Sequence, residues 1–116
     1  MLTAEAEHRD HAIVEQVISD LKGSALAHFP SGRMNANGAW LACAVIAYNL
    51  TRAAGVQAGG RFAKARTSTI RSRLITIPAR IATTGRATVL HLPQNHRHQR
   101  PFMAMLDATQ ASPQAA

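Results

Sequence analysis

Residues 8–22 carry the clearest periodic pattern in the chain, and this pattern constrains how its N-terminal part folds. At about 100° of rotation per helical residue, one side collects four apolar side chains: Ile13, Val14, Val17 and Leu21. Another side collects the polar and charged residues His8, His11, Glu15, Ser19 and Lys22. We therefore expect a helix from residue 3 or 4 to residue 22, ended by Gly23, that buries its apolar face and exposes a polar stripe.

A second helix is predicted over residues 37–54, capped by Asn35 or Asn37 and ended by Gly55. Its large apolar side chains point in several directions around the helix, which indicates burial on most sides: Trp40, Leu41, Val45, Ile46, Tyr48 and Leu50. We expect the first helix to pack its apolar face against this one. Residues 55–61, which include three glycines, are predicted to be a flexible connection.

The C-terminal half is predicted to contain a short helix, a β-hairpin and a last helix. The short helix is expected from residue 67 or 68 to residue 74. The hairpin strands are expected at 77–83 and 86–92 around Thr84-Gly85, and the last helix at 101–108. The last helix should turn Phe102, Met105 and Leu106 inward. The predicted fold class is therefore α+β, mainly α-helical, with a small β-hairpin.

The length of 116 residues suits one small domain, which we expect over residues 1–109, followed by a disordered tail at 110–116. The single cysteine, Cys43, excludes an intramolecular disulfide and is typical of a reducing cytoplasm. It lies in an apolar run and is predicted to be a small core residue. That run, residues 39–48, is shorter than the about 20 residues that cross a bilayer, so no membrane partner is expected.

The charges are separated along the sequence. Five of the six acidic residues lie in the first twenty positions, and the sixth is Asp107. From Lys22 to Arg100 the chain has twelve Lys or Arg and no acidic residue. Like charges repel one another over such a stretch unless a polyanion is near, so nucleic acid is the expected partner. The alternative is an arginine-rich composition that makes the surface basic without any partner.

The spacing His8-x2-His11-x3-Glu15-x6-Lys22 resembles the Y-x2-R-x3-E-x6-K signature of DDE-type transposases from bacterial insertion sequences. Further segments resemble the same family in the same order: Asp20-Leu21, Phe29-Pro30-Ser31-Gly32, Asn37-Gly38-Ala39-Trp40-Leu41, Ala47-Tyr48-Asn49-Leu50, Ser72-Arg73-Leu74 and Ile77-Pro78-Ala79-Arg80-Ile81. The resemblance covers about residues 5–107 and implies the C-terminal part of an RNase H-like catalytic domain.

The resemblance implies roles for the residues of the signature. In the family, three carboxylates hold two divalent ions, usually Mg²⁺, that drive DNA cleavage and strand transfer. Glu15 would be the third carboxylate and a metal ligand, and Lys22 would approach phosphates of the transposon end. His8 and His11 stand where the family has Tyr and Arg, and His11 would be a weaker phosphate contact than Arg because it is mostly neutral at pH 7.

The first two Asp of the family, which precede the Glu on strands, have no counterpart upstream of Glu15. Asp10 and Asp20 lie near 140° from Glu15 around the helix, and Asp107 is on a terminal helix. We therefore expect a catalytically inactive fragment of a bacterial, cytoplasmic transposase that begins at an internal or secondary start codon. Its expected partners are DNA and either a second copy of this chain, in a homodimer, or a full-length transposase.

Two alternatives remain open. The chain is either a non-catalytic basic DNA-binding module or a decayed product without function, prone to aggregation because apolar helix faces are bare. The histidines at 91, 96 and 98 are interpreted as part of a basic surface loop, since a zinc site needs more ligands at defined spacing.

Overall fold

The structure is a computed structural model that describes residues 13–111. Its elements, in chain order, are α1 over residues 13–22, α2 over Met34–Ala58, α3 over Thr67–Ile70, β1 over Arg80–Thr84, β2 over Ala87–His91 and α4 over Gln99–Ala111. A 3₁₀ turn at Gly60–Lys64 precedes α3, and a π turn at Arg71–Ile75 continues it. The described residues are mainly helical with one two-stranded antiparallel sheet, which confirms the α+β class.

The internal contacts divide the chain into two compact units, of which the first ends at Leu50 and the second begins at Thr51. The boundary falls inside α2, so this helix contributes to both units. The expectation of a single domain over residues 1–109 stays a prediction.

Helix α1 ends where the sequence predicts. The Gly23 amide donates to the Ser19 carbonyl at 3.0 Å, and the Ser24 hydroxyl donates to the carbonyl of Asp20 at 2.9 Å. These bonds occupy carbonyls that the end of a helix would leave without partners. The residues predicted to begin the helix, 3 to 12, lie outside the described residues.

The predicted burial of the apolar face of α1 is only partly correct. Val17 and Leu21 are half-buried, but Ile13 and Val14 expose 59% and 55% of their surface. The face is thus covered only towards the C-terminal end of α1.

Helix α2 begins three residues before the predicted position. Asn37, which was expected to cap it, lies in its first turn and holds the preceding loop instead. Its side-chain oxygen accepts from the Ser31 amide at 3.2 Å, and its side-chain nitrogen donates to the Ser31 carbonyl at 2.8 Å. The two bonds fix the loop to the start of α2.

The prediction that α2 is buried on most sides is wrong. Trp40, Leu41, Val45, Ile46 and Leu50 are exposed, with Leu50 at 67%, and along this helix burial is confined to small residues such as Ala44, Gly55 and Ala58. Cys43, predicted to be a core residue, is exposed as well. The helix therefore presents a long apolar face to solvent.

Among the described residues, α2 is the helix that is long and apolar enough to cross a bilayer, with a mean hydropathy of 1.2 in its best window. The helix is longer than the apolar run at residues 39–48, because it begins at Met34 and extends to Ala58. This is weak support for a membrane span, since long helices of other proteins meet the same requirement by length and composition.

The core lies in the second unit, around Phe62, Ile70 and Leu74, whose side chains are almost fully buried. Gly55, predicted to end α2, is instead buried inside this helix against Ile70. The predicted flexible connection at 55–61 is also wrong, because residues 55–58 are helical and Gly60 begins the 3₁₀ turn. Positive φ angles at Gly59 and Gly60, 69° and 53°, make the change of direction between the two.

The hairpin is confirmed, with shorter strands than predicted and with its loop one residue later than the predicted Thr84-Gly85. Arg80 pairs with His91 and Thr84 with Ala87, so Gly85 and Arg86 form a two-residue loop. Gly85 has a φ of 58°, as the first position of a type II′ turn requires. Both strands are largely exposed, and the cross-strand pair Ile81 and Leu90 lies in solvent.

Helix α4 is also confirmed. Phe102 and Met105 are half-buried and pack against the core of the second unit, whereas Leu106, predicted to face inward, is exposed. The helix extends to Ala111, two residues into the segment predicted to be a disordered tail. Residues 112–116 of that segment lie outside the described residues.

Candidate nucleic-acid interface

Glu15 and Lys22 lie on α1, and both side chains are exposed. They are seven positions apart, which is close to two helical turns, so they share one face about 10 Å apart along the axis. The two other residues of the predicted site, His8 and His11, lie outside the described residues. The structure therefore describes half of the predicted site, a carboxylate and an ammonium on one helix face.

The segment after Lys22 is held close to α2. The Trp40 indole nitrogen donates to the Ala25 carbonyl at 2.8 Å. Ala25, Trp40, Cys43, Ala44 and Ala47 line an apolar recess of about 210 Å³. The indole bond fixes the turn that follows the Lys22 end of α1.

Metal-binding groups are sparse. No three His, Cys, Asp or Glu side chains within residues 13–111 are close enough together to hold a metal ion. The exposed Glu15 carboxylate suits Mg²⁺ as one hard oxygen ligand, but the donors that the described part of the chain brings together do not fit a pair of metal ions.

The second unit is strongly basic. It contains ten Lys or Arg and a single acidic residue, Asp107. Nine of the ten are exposed: Arg61, Lys64, Arg66, Arg71, Arg73, Arg80, Arg86, Arg97 and Arg100. A surface with this many exposed cations attracts a polyanion and gains free energy by releasing its counterions.

The tenth, Arg52, has a structural role instead. It is half-buried on α2, and its guanidinium donates to the carbonyls of Ala63 and Ala65 at 2.6 and 2.5 Å. These carbonyls belong to the 3₁₀ turn and the residue after it, so Arg52 holds the turn against α2.

The group around His98 was not anticipated from the sequence, which placed His98 in a surface loop. His98 is only 6% exposed, and its Nδ1 lies 3.2 Å from Nη2 of Arg61. Because a guanidinium only donates, Nδ1 must be the acceptor, and the proton of the neutral ring is on Nε2. Burial lowers the pKa of His98 below 6.5, and the neighbouring positive charges, Arg61 first, lower it further.

Aromatic contacts complete this group. The Phe62 ring meets the His98 ring edge to face with centroids 5.4 Å apart, and the Arg61 guanidinium carbon lies 5.3 Å from the Phe62 centroid. The His96 ring lies 5.7 Å from that of His98, and its Nδ1 accepts from the His98 amide at 3.2 Å. No local sequence signal marks His98 as buried, because its contacts with Arg61 and Phe62 come from more than thirty positions away.

A family model described as Transposase DDE domain group 1 matches residues 4–114. This match includes α1 with Glu15 and Lys22 and continues through the hairpin and α4. The chain belongs to this DDE transposase family. No curated protein and no solved structure matches the chain. DDE transposases act on DNA with divalent metal ions, and the exposed basic surface of this transposase chain is consistent with a DNA substrate.

Proposed function

We propose that this chain is the C-terminal, DNA-contacting part of a DDE transposase catalytic domain whose full-length form cleaves and joins transposon DNA with Mg²⁺. The observation that carries the proposal is the basic second unit, with nine exposed cations and one acidic residue within a chain of this family. A transposase holds DNA ends mainly by their phosphates, which such a surface suits.

In this proposal Glu15 is the third carboxylate of the catalytic centre and a ligand of Mg²⁺. Lys22, on the same face of α1, contacts a phosphate near the cleaved bond, and His8 and His11 add further DNA contacts. The exposure of Glu15 and Lys22 supports these roles, because a residue that meets DNA or a shared metal cannot be buried. The bacterial cytoplasm, where the DNA is, would be the site of action.

The exposed apolar surfaces support a larger assembly. The face of α2 that includes Ile46 and Leu50 and the strand pair Ile81 and Leu90 are apolar and open to solvent. Apolar surfaces of this extent are typical of chains that pack against further protein. We propose that other parts of an RNase H-like domain, which carry the first two Asp, cover them in the complete enzyme, and that a further copy or a full-length transposase is a partner.

DNA binding tests this proposal directly. Fluorescence anisotropy of a labelled duplex, titrated with the 116-residue chain at several salt concentrations, should show an affinity that falls steeply with salt. With about five phosphate contacts, the logarithm of the affinity should fall with that of the salt concentration with a slope of about −4 to −5. An affinity that does not change with salt, or no binding at low salt, would contradict the proposal.

The second candidate is a basic module that binds DNA without taking part in catalysis. The lack of a three-donor metal group within residues 13–111 favours it for the isolated chain. Substitution of Glu15 separates the two, since Glu15→Gln removes a metal ligand but leaves the basic surface intact. Mg²⁺-dependent changes in the DNA affinity that disappear in Glu15→Gln would favour the catalytic assignment.

A further inference from the structure

Arg61 is held in place by two side chains, which is unusual for an exposed arginine. Its Nη2 donates to the buried His98 ring at 3.2 Å, and its guanidinium carbon lies 5.3 Å from the centre of the Phe62 ring. Phe62 and His98 are themselves almost fully buried. The guanidinium has five N–H donors, of which one serves His98, so the remaining donors stay available in a fixed orientation.

The charges that act on His98, the partner of Arg61, are all of one sign. The groups that act on His98 are Arg61 from the 3₁₀ turn, Arg73 from the π turn, and Arg97 and His96 from the segment before α4. No carboxylate of the described residues is among them, and Asp107 is the one acidic residue of the second unit. A held guanidinium in surroundings of positive charge is complementary to an external anion.

We infer that Arg61 is a preorganised phosphate-binding arginine, supported by His98 and Phe62, and that it binds a backbone phosphate of DNA. The inference depends on the proposed DNA-binding function and assigns a particular contact within it. His98 acts here as a positioning residue, because it orients Arg61 through its Nδ1 and does not itself need to reach the phosphate.

A bound phosphate should also change the titration of His98. An anion beside Arg61 offsets the positive charges that now oppose protonation, so it raises the pKa of His98 from its lowered value. Nuclear magnetic resonance can follow the His98 imidazole separately from the other histidines. Inorganic phosphate should raise the pH at which His98 titrates in the unmodified chain and should have much less effect in Arg61→Gln.

DNA affinity provides the second measurement, again with a labelled duplex of arbitrary sequence. Arg61→Gln should weaken binding by up to about eightfold at roughly 0.1 M salt and lower the salt slope by about 1, the effect of one phosphate contact fewer. Arg86→Gln is the matched control, because Arg86 is an exposed arginine of the same unit in the hairpin loop. It removes one cation of the same basic surface, so it should weaken binding as well, but by less than the loss of the held Arg61 guanidinium.

The role of His98 requires variants that separate positioning from packing. His98→Asn places a side-chain oxygen near the position of Nδ1 and should keep the affinity, whereas His98→Leu fills the space without an acceptor and should lose as much as Arg61→Gln. Equal affinities of these two variants, when both unfold at similar temperatures, would overturn the positioning role. If His98→Leu does not fold, Arg61→Gln decides the phosphate site alone.

The outcomes distinguish this inference from the proposed function. Loss of affinity in Arg61→Gln beyond that in Arg86→Gln, with a phosphate-dependent shift of His98, supports the site. Equal losses in the two variants overturn it while DNA binding itself stands. If the unmodified chain does not bind DNA, the proposed function fails. A phosphate-dependent rise in the pKa of His98 would then show an anion site that DNA does not use. The absence of that shift overturns the anion site in every case.

Discussion

At the scale of single residues, the packing of α2 depends on the absence of one methyl group. A Cβ on Gly55 would lie 2.5 Å from Cδ1 of Ile70 and 2.8 Å from the Phe62 carbonyl oxygen. The oxygen belongs to the backbone and cannot easily move away. We expect Gly55→Ala to lower the free energy of unfolding by about 1–3 kcal/mol, more than the gain in helix propensity, as measured by urea denaturation.

Gly38 supplies the matched control, since it is also inside α2 but nothing lies within 4 Å of its added Cβ. Gly38→Ala should therefore raise the free energy of unfolding by up to about 1 kcal/mol through helix propensity alone. A similar gain from both substitutions would show that Ile70 and Phe62 do not approach α2 as closely as described.

His98 makes stability depend on pH. Its pKa is lowered in the folded chain, mainly by burial, so the unfolded chain binds a proton first as the pH falls through about 6.5. The free energy of unfolding should decrease below that pH and be insensitive to this group above it. Urea denaturation on both sides of pH 6.5 measures the effect, and His98→Asn, which cannot titrate, should show a smaller pH dependence. An equal dependence in both chains would assign the effect to other groups.

At the scale of elements, the short helical segments of the second unit carry its stability. Leu74, in the π turn after α3, has no exposed surface, and it packs with Phe62 and Ile70. Leu74→Ala should cost about 2–5 kcal/mol in the free energy of unfolding, because it leaves a cavity in a small core. Thermal or urea unfolding of the isolated chain measures this.

Leu50→Ala is the comparison at the same scale. Leu50 is 67% exposed on α2, so its truncation should change the free energy of unfolding by no more than about 0.5 kcal/mol. A large cost at Leu50 in the isolated chain would mean that the apolar face of α2 is covered, for instance by a second copy, and that cost would depend on protein concentration.

Local sequence patterns predicted some elements well and others poorly. The hairpin turn at Gly85 depends on a positive φ angle that glycine favours, and neighbouring residues are enough to recognise it. Gly55 was misread for the opposite reason. Its role is a close contact with Ile70, fifteen residues away, and without that contact a glycine after an apolar run resembles a helix end.

At the scale of the whole molecule, the number of metal-binding side chains predicts whether the isolated chain cleaves DNA. A pair of metal ions needs several carboxylates, and the described residues hold no group of three metal-binding side chains. We therefore expect no Mg²⁺-dependent nicking of supercoiled plasmid above the background, with Glu15→Ala indistinguishable from the unmodified chain. A nickase in the same buffer shows that the assay works. Nicking that Glu15→Ala abolishes would contradict this expectation.

The candidate site was predictable only in part. The spacing of Glu15 and Lys22 follows from helical periodicity, and both are exposed as a shared polar face requires. The phosphate site proposed around Arg61 was not predictable. It joins residues 61 and 98, whose proximity depends on how α4 and the 3₁₀ turn pack on one core.

The sequence by itself determined the class of the fold, the presence of its hairpin, the separation of charge and the family of the chain, because these depend on composition and on residues near one another. Only the tertiary structure decided which side chains are buried. It exposed Leu50 and Cys43, which lie in an apolar run, and buried His98, which lies among arginines. Burial depends on which surfaces meet, and contacts between distant segments have no signature in the local sequence.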